Sequence, residues 1–402
     1  MEPIGKTIIS IQYGTSQSTS DTGVPVVGMK NIQNGKVDFK NLPCVSLDEG
    51  EKNKLLLHDG DILLNRTNSL DIVGKVGLVE KPNGAVFASY LVRLEVDKTK
   101  SDPKFVAMWL SSFWAVQMIK KIATRAVSQA NINPTEFKKF CLIPILPLPE
   151  QKAIVDVLGT WDEAIGKTER LIQSKEKMLD AYARDLFDRK NNGKYKGWKV
   201  VKLKTVLHEH GDKSTGDEEV YSVSVHKGLV NQVEHLGRSF SAANTDNYNL
   251  VHYGDIVNTK SPTGDFPLGV VRQSYAEDDV IVSPLYGVFT PKTFNLGIIL
   301  DFYFSSPARA RNYLFPIVQK GAKNTIAITN KTFLSKTLHL PVNERAQKDV
   351  AEFVYAAREE IDRLKQLTDK YKTQKRGLMQ KMMTGEWRVK PDIVNQYMEA
   401  QS

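Results

Sequence analysis

The sequence predicts an α+β chain: two globular mixed α/β domains joined by two long antiparallel helices that form a coiled-coil spacer, the whole a pseudo-twofold internal repeat. Three observations predict it. Apolar positions recur at alternating steps of four and three through Ile154, Leu158, Trp161, Ile165, Thr168, Ile172, Lys175, Leu179, Tyr182 and Leu186, which is a heptad seam. The same seam returns 196 residues later as Val350, Val354, Ala357, Ile361, Leu364, Thr368, Tyr371, Lys375, Leu378 and Met382. Landmarks outside the seams repeat too. Leu57-His58-Asp59-Gly60-Asp61-Ile62 matches Val251-His252-Tyr253-Gly254-Asp255-Ile256, Phe137 matches Phe333, and Gln151-Lys152 matches Gln347-Lys348. Two copies of one plan explain an offset that drifts by so little, and two copies are too few for a solenoid. The predicted boundaries are 1–146 and 191–338 for the two domains, 147–190 and 339–390 for the helices, and 391–402 for a patternless tail.

The elements follow in order. Gly23 to Met29 is a buried-strand run closed by the turn residues Asn31, Asn34 and Gly35. Ile62-Leu63-Leu64, Val73 to Val79 and Val86 to Leu94 are further strand runs. Between Pro103 and Ile122 the period changes, and Phe105, Met108, Trp109, Ser112, Val116, Ile119 and Ile122 share a helical face. Pro144, Pro147 and Pro149 stiffen the approach to a helix predicted from about Glu150 to Arg189, which Asn191-Asn192-Gly193 ends. The second copy opens at Trp198-Lys199-Val200-Val201.

A lone seam of this length would expose its stripe to water, whereas two in one chain bury each other. If each domain sits at one end of the pair, the helices run antiparallel. Ile154 to Leu186 covers about 50 Å at about 1.5 Å per residue, between one and one and a half turns of duplex DNA. A stiff pair of that length suits a ruler between two readers. The polar seam positions Thr168, Thr368, Lys175 and Lys375 either set register or lie at the solvent edge.

The chain has 402 residues and a net charge of +9, which favours an anionic partner, nucleic acid before a membrane surface. Its two cysteines, Cys44 and Cys141, stand in apolar contexts without metal-type spacing, as expected of packing residues in a reducing cytoplasm. The N-terminus has no apolar leader-like run, and no stretch is long and apolar enough for a membrane span.

Catalytic patterns are missing. Neither a Gly-x-Gly-x-x-Gly run nor an Asn/Asp-Pro-Pro-Tyr run occurs, and Gly5-Lys6-Thr7 lacks the upstream glycine of a phosphate loop. His208-Glu209-His210 has no helix-spaced partner and reads as a solvated loop, so no metal site is expected. Polar loops carry more. Asn65, Arg66, Thr67, Asn68 and Ser69 follow a strand, with Lys75 nearby, and Gln129 and Asn131 lie in a later loop. Their counterparts are Thr259, Lys260, Ser261 and Thr263, then Lys320, Lys323, Asn324 and Thr325. These side chains bond base edges and phosphates. Matching loops with different side chains suit two related readers of different sequences.

Leu146-Pro147-Leu148-Pro149-Glu150-Gln151-Lys152-Ala153-Ile154 and the helix after it resemble the central conserved region of the specificity subunit of type I restriction-modification systems. Gly377-Leu378-Met379-Gln380-Lys381-Met382-Met383-Thr384-Gly385-Glu386-Trp387-Arg388 resembles that family's carboxyl-terminal conserved region, and the segments around Arg66 and Lys260 look like its target-recognition domains. The second copy departs from the pattern, with Ala346 where the first has Glu150, so its helix start is expected to differ. The first copy also lacks a counterpart of Trp198, and its domain is expected to begin a little short.

The resemblance implies a non-catalytic subunit in which 1–146 and 191–338 are target-recognition domains, each reading one half of a split, asymmetric DNA site. It implies two modification subunits that hold S-adenosylmethionine and methylate adenine, and motor-nuclease subunits that use ATP and magnesium. It implies no cofactor in this chain, no small-molecule substrate and no membrane. Two other readings stay open at this point: a stand-alone DNA-modifying enzyme, and a coiled-coil adaptor that binds no DNA.

Overall fold

The computed structural model describes residues 1–125, 129–188, 194–225, 227–233, 245–320 and 326–399. The chain divides into two compact units, one made of Met1–Thr168 with Leu367–Ser402, the other of Glu169–Gln366. The division falls inside both long helices, Leu148–Phe187 and Glu344–Met383, each of 40 residues. Mixed α/β units with two long helices are the architecture expected above.

In the first unit the strands Ile8–Tyr13, Leu91–Val96, Ile62–Asn65 and Val76–Leu78 lie side by side in that order, antiparallel, and Lys36–Val37 and Ile32–Gln33 extend the sheet. A second sheet holds Val86–Phe87, Val24–Val27, Cys44–Val45 and Thr19–Ser20. The run Val86 to Leu94 is therefore two strands in two sheets, separated by a turn in which the Leu91 amide bonds the Ala88 carbonyl. The predicted helical face from Pro103 to Ile122 is likewise two helices, Pro103–Leu110 and Phe113–Ile122. Ser112 divides them because its hydroxyl caps the second by accepting from the Ala115 amide.

The second unit repeats the order of the main sheet with Leu207–Glu209, Gly287–Pro291, Ile256–Asn258 and Val271–Gln273. Each unit also has an antiparallel strand pair leading to its long helix. It is Glu2–Pro3 with Leu142–Ile143 in the first and Trp198–Lys202 with Thr337–Pro341 in the second. The first pair is three residues shorter on its opening strand.

The seam is buried as the heptads require. In the first unit Ile154, Leu158, Met382 and Met383 are buried in the core, with Leu378 packed against it. In the second, Ile172, Leu179 and Leu186 share a core with Val350, Val354 and Ile361, and Leu364 packs against them. Ile165 is buried as well. Pairings across the helices fix their direction. Trp161 meets Tyr371 edge to face at 5.6 Å and Lys375 Nζ lies 2.5 Å from Asp162 Oδ1 in the first unit. Lys175 Nζ lies 2.6 Å from Glu360, and Tyr182 meets Phe353 edge to face at 4.5 Å in the second. In the second unit partner numbers fall as the first helix rises, so its two helical segments run antiparallel. Lys175 and Lys375 are thus half-buried register contacts rather than free solvent-edge positions. Thr168 instead bonds its own helix, at the Ala164 carbonyl, and Thr368 is buried.

The repeated Gln151 and Gln347 have the same duty. Gln151 is fully buried; its Nε2 donates to the carbonyls of Leu146 (2.8 Å) and Lys100 (3.2 Å), and its Oε1 accepts from the Asp102 amide (2.9 Å). Gln347 Nε2 donates to the Pro341 carbonyl (3.0 Å), and its Oε1 accepts from the Thr293 hydroxyl (2.6 Å). Each glutamine fastens the start of a long helix to its own domain. The starts differ around it. Glu150, 3% exposed, takes both forks of Arg388 at 2.6 and 2.5 Å, whereas Ala346 stands at the matching place and Asn343 caps that helix through the Ala346 amide.

The segment read as a patternless tail contains a helix, Pro391–Glu399. Val394 and Tyr397, three apart on one face, pack on the first unit's core, and the Tyr397 hydroxyl bonds Asp156 at 2.6 Å. A stripe of two residues is too short to stand out as periodicity. Cys141 is buried, and burial pushes its thiol up to about 12, in keeping with packing.

Candidate nucleic-acid interface

In the first unit the strand Ile62–Asn65 ends where the polar loop begins. Thr67–Asn68, Ala130–Asn131 and Thr124–Arg125 then form a small antiparallel sheet, with Asn131 opposite both Thr67 and Thr124. Two loops 60 residues apart in the sequence therefore lie side by side. Asn131 Oδ1 accepts from Arg66 Nη1 (3.1 Å) and from the Thr67 hydroxyl (3.2 Å). Arg66 Nε donates to the Ser89 carbonyl at 3.3 Å, and its guanidinium lies 4.9 Å from the centre of the Tyr13 ring. These contacts preorganise a five-donor group; the bonds to Ser89 and Asn131 use two of its N–H groups. Asn68 Nδ2 points to Met29 Sδ at 3.2 Å, while its Oδ1 accepts from the Ser69 amide. Ser69, Lys75 and Gln129 are exposed.

Asn65 lies elsewhere. It is fully buried at the strand's end, and neither amide atom of its side chain has a partner among the described residues. Strand alternation and the sheet above it turn this last residue inward, so the surface set begins at Arg66. Thr259, its counterpart, is also buried; its hydroxyl accepts from the Val270 amide at 3.0 Å. Both residues shape a loop from below.

In the second unit, the Thr263 and Phe266 amides and carbonyls bond each other at 3.0 and 2.9 Å, and buried Phe266 anchors the turn. Ser261 and Thr263 are exposed. Lys260 has a positive φ of 55° and is half-buried; burial holds its ammonium below the ordinary lysine range. Its backbone also leaves little room opposite, since a Cβ on Gly269 would come 2.7 Å from the Lys260 nitrogen. Lys320 lies in the strand Gln319–Lys320, paired with Ile326–Ala327. Lys323, Asn324 and Thr325 lie outside the described residues.

Two exposed aromatics escaped the sequence reading. Tyr13, 49% exposed, carries Arg66, and Tyr90, 51% exposed, gives its carbonyl to the Arg66 amide at 3.1 Å. No local pattern marks them, because only the fold brings them to the loop. The surface in the first unit thus offers a fixed guanidinium, an amide, hydroxyls and two aromatic rings. Such a set can bond the edges and phosphates of a polyanion but has no nucleophile–base pair.

A family model described as the type I restriction modification DNA specificity domain matches residues 9–175. A protein assigned as the type I restriction enzyme MjaX specificity subunit, from Methanocaldococcus jannaschii, is 25% identical over 93% of this chain and 89% of its own length. In both comparisons the chain is similar to specificity subunits of type I restriction-modification systems. A second relative, the type I restriction enzyme EcoKI specificity subunit of Escherichia coli, is 27% identical over 37% of the chain and 32% of its own length. In fold the chain resembles the crystal structure of a type I restriction-modification S subunit from M. genitalium, with a TM-score of 0.60, 15% identity and 95% of each chain covered. No helix among the described residues is long and apolar enough to cross a membrane.

Proposed function

We propose that this chain is the DNA-reading, non-catalytic subunit of a type I restriction-modification complex. Each unit reads one half of a bipartite, asymmetric site, and the helical pair sets the length of the unread gap. Two methyltransferase subunits dock on the helices and carry S-adenosylmethionine; motor-nuclease subunits bring ATP and magnesium; this chain needs neither. The complex works in the cytoplasm. The observation that carries this reading is that one strand–loop position recurs in both units with different chemistry, Arg66 with Asn131 in the first and Lys260 with Ser261 and Thr263 in the second. The match of residues 9–175 to the DNA specificity domain supports it, and so does the +9 charge, which would attract phosphates before bases are read.

The reading predicts separable half-sites. With the reconstituted methyltransferase complex and a plasmid library, Arg66→Ala should relax discrimination at one half-site by about 2 kcal/mol, roughly 30-fold, and leave the other intact. Lys260→Ala should affect only the other half. Equal loss at both halves from either substitution would contradict one unit per half-site.

A further inference from the structure

We propose that His210, Asp212 and His252 form a binding site for a divalent first-row transition metal, with zinc the natural probe. The ligand atoms of the three side chains all lie within 4.8 Å of one another. Asp212 Oδ2 sits between the rings, 3.3 Å from His210 Nδ1 and 3.6 Å from His252 Nε2. Two imidazole nitrogens and a carboxylate oxygen at about 2.1 Å from a tetrahedral metal stand about 3.4 Å apart, so two of the three edges already have that length. Closing the third needs only a small turn of the His252 ring, which is 41% exposed.

The remaining ring nitrogens are held as metal-binding histidines hold theirs. His210 Nε2 lies 2.9 Å from Asp255 Oδ2, and His252 Nδ1 lies 2.8 Å from Asp279 Oδ1. A carboxylate on the far nitrogen fixes the tautomer and leaves the near nitrogen's lone pair for the metal. Asp255 is in turn fixed by the Thr290 hydroxyl at 2.7 Å and the His252 amide at 2.9 Å. An independent sign is the state of His210 Nδ1. It is buried, on a side chain only 10% exposed, and has no hydrogen-bond partner among the described residues although Asp212 is near. A buried imidazole nitrogen aimed at a carboxylate without bonding it is costly, and a metal between the two satisfies both.

The repeat supplies an internal contrast. The first unit keeps His58 and Asp61 at the places of His252 and Asp255. The sheet registers, however, put Gln12 where the second has His210, and Arg93 fills the space by pairing with Asp61 at 3.5 Å. The second unit has a histidine pair around a carboxylate where the first has an arginine. A bound metal would clip the segment after Leu207–Glu209 to the turn after Asn249–Val251, with water completing the coordination on the open side.

The test uses the full-length chain, stripped with chelator, incubated with zinc chloride, desalted and assayed for bound metal and for thermal midpoint. One zinc per chain is expected in the unaltered protein and in His208→Gln, with a midpoint that rises on zinc addition. His210→Gln, which installs the residue type the first repeat carries, and Asp212→Asn, at a half-exposed position, should both lose the metal and the thermal response. Asp279→Asn should weaken binding roughly 10- to 100-fold. Failure of the unaltered chain to retain zinc, or equal zinc in folded His210→Gln and Asp212→Asn, would overturn the site and leave an ion-pair cluster.

Discussion

Gln151→Leu is expected to destabilise the first unit by about 3 kcal/mol, seen as a lower urea midpoint with an unchanged slope. The side chain is fully buried and serves three backbone groups: the Asp102 amide and the carbonyls of Lys100 and Leu146. Leucine fills the volume but leaves all three unsatisfied, at about 1–3 kcal/mol each before relaxation and water relieve part of the cost. Gln347→Leu should do the same to the second unit, with a smaller loss because Thr293 can turn to another acceptor. An unchanged midpoint in both would show that the glutamines do not fasten the helices.

Arg388→Ala should cost roughly 2–3 kcal/mol by the same measurement, less than a fully buried pair because the arginine is half-exposed. The asymmetry lies in the partner. Glu150 is 3% exposed, and without the guanidinium its carboxylate keeps, among the described residues, only the long contact from the Val389 amide at 3.4 Å. Glu150→Gln removes the charge and should cost less, and the double substitution should be less destabilised than Arg388→Ala alone. If Arg388→Ala and the double variant lose the same stability, an unpaired buried charge is not the cause.

The helices were legible because burial at heptad spacing is a local property: Ile154, Leu158, Ile172, Leu179, Val350 and Val354 all face a core. The repeat was legible for the same reason, since one sheet order needs the same strands at the same spacing. The Arg66 loop was recognisable as a loop after a strand, but the inward turn of Asn65 depends on the sheet above it. The Glu150–Arg388 pair joins residues far apart in the chain, so the sequence showed only that the second copy lacks the glutamate. The correspondence is sharper once the pair is known, because the position matching Arg388 is Asn192. His210 looked isolated for a similar reason: its partners come from the turns at His252 and Asp255, brought near by the strands Ile256–Asn258 and Gly287–Pro291.

Under the proposed function the helical pair sets the length of the unread gap. Inserting one heptad into each long helix at matched places keeps the seam in phase and adds about 10 Å. The measurement is the set of adenines methylated by the complex containing that variant, read by single-molecule sequencing of plasmid DNA. The expected result is the same two half-sites separated by a longer unread gap. Methylation at the original spacing, or at altered half-sites, would contradict it.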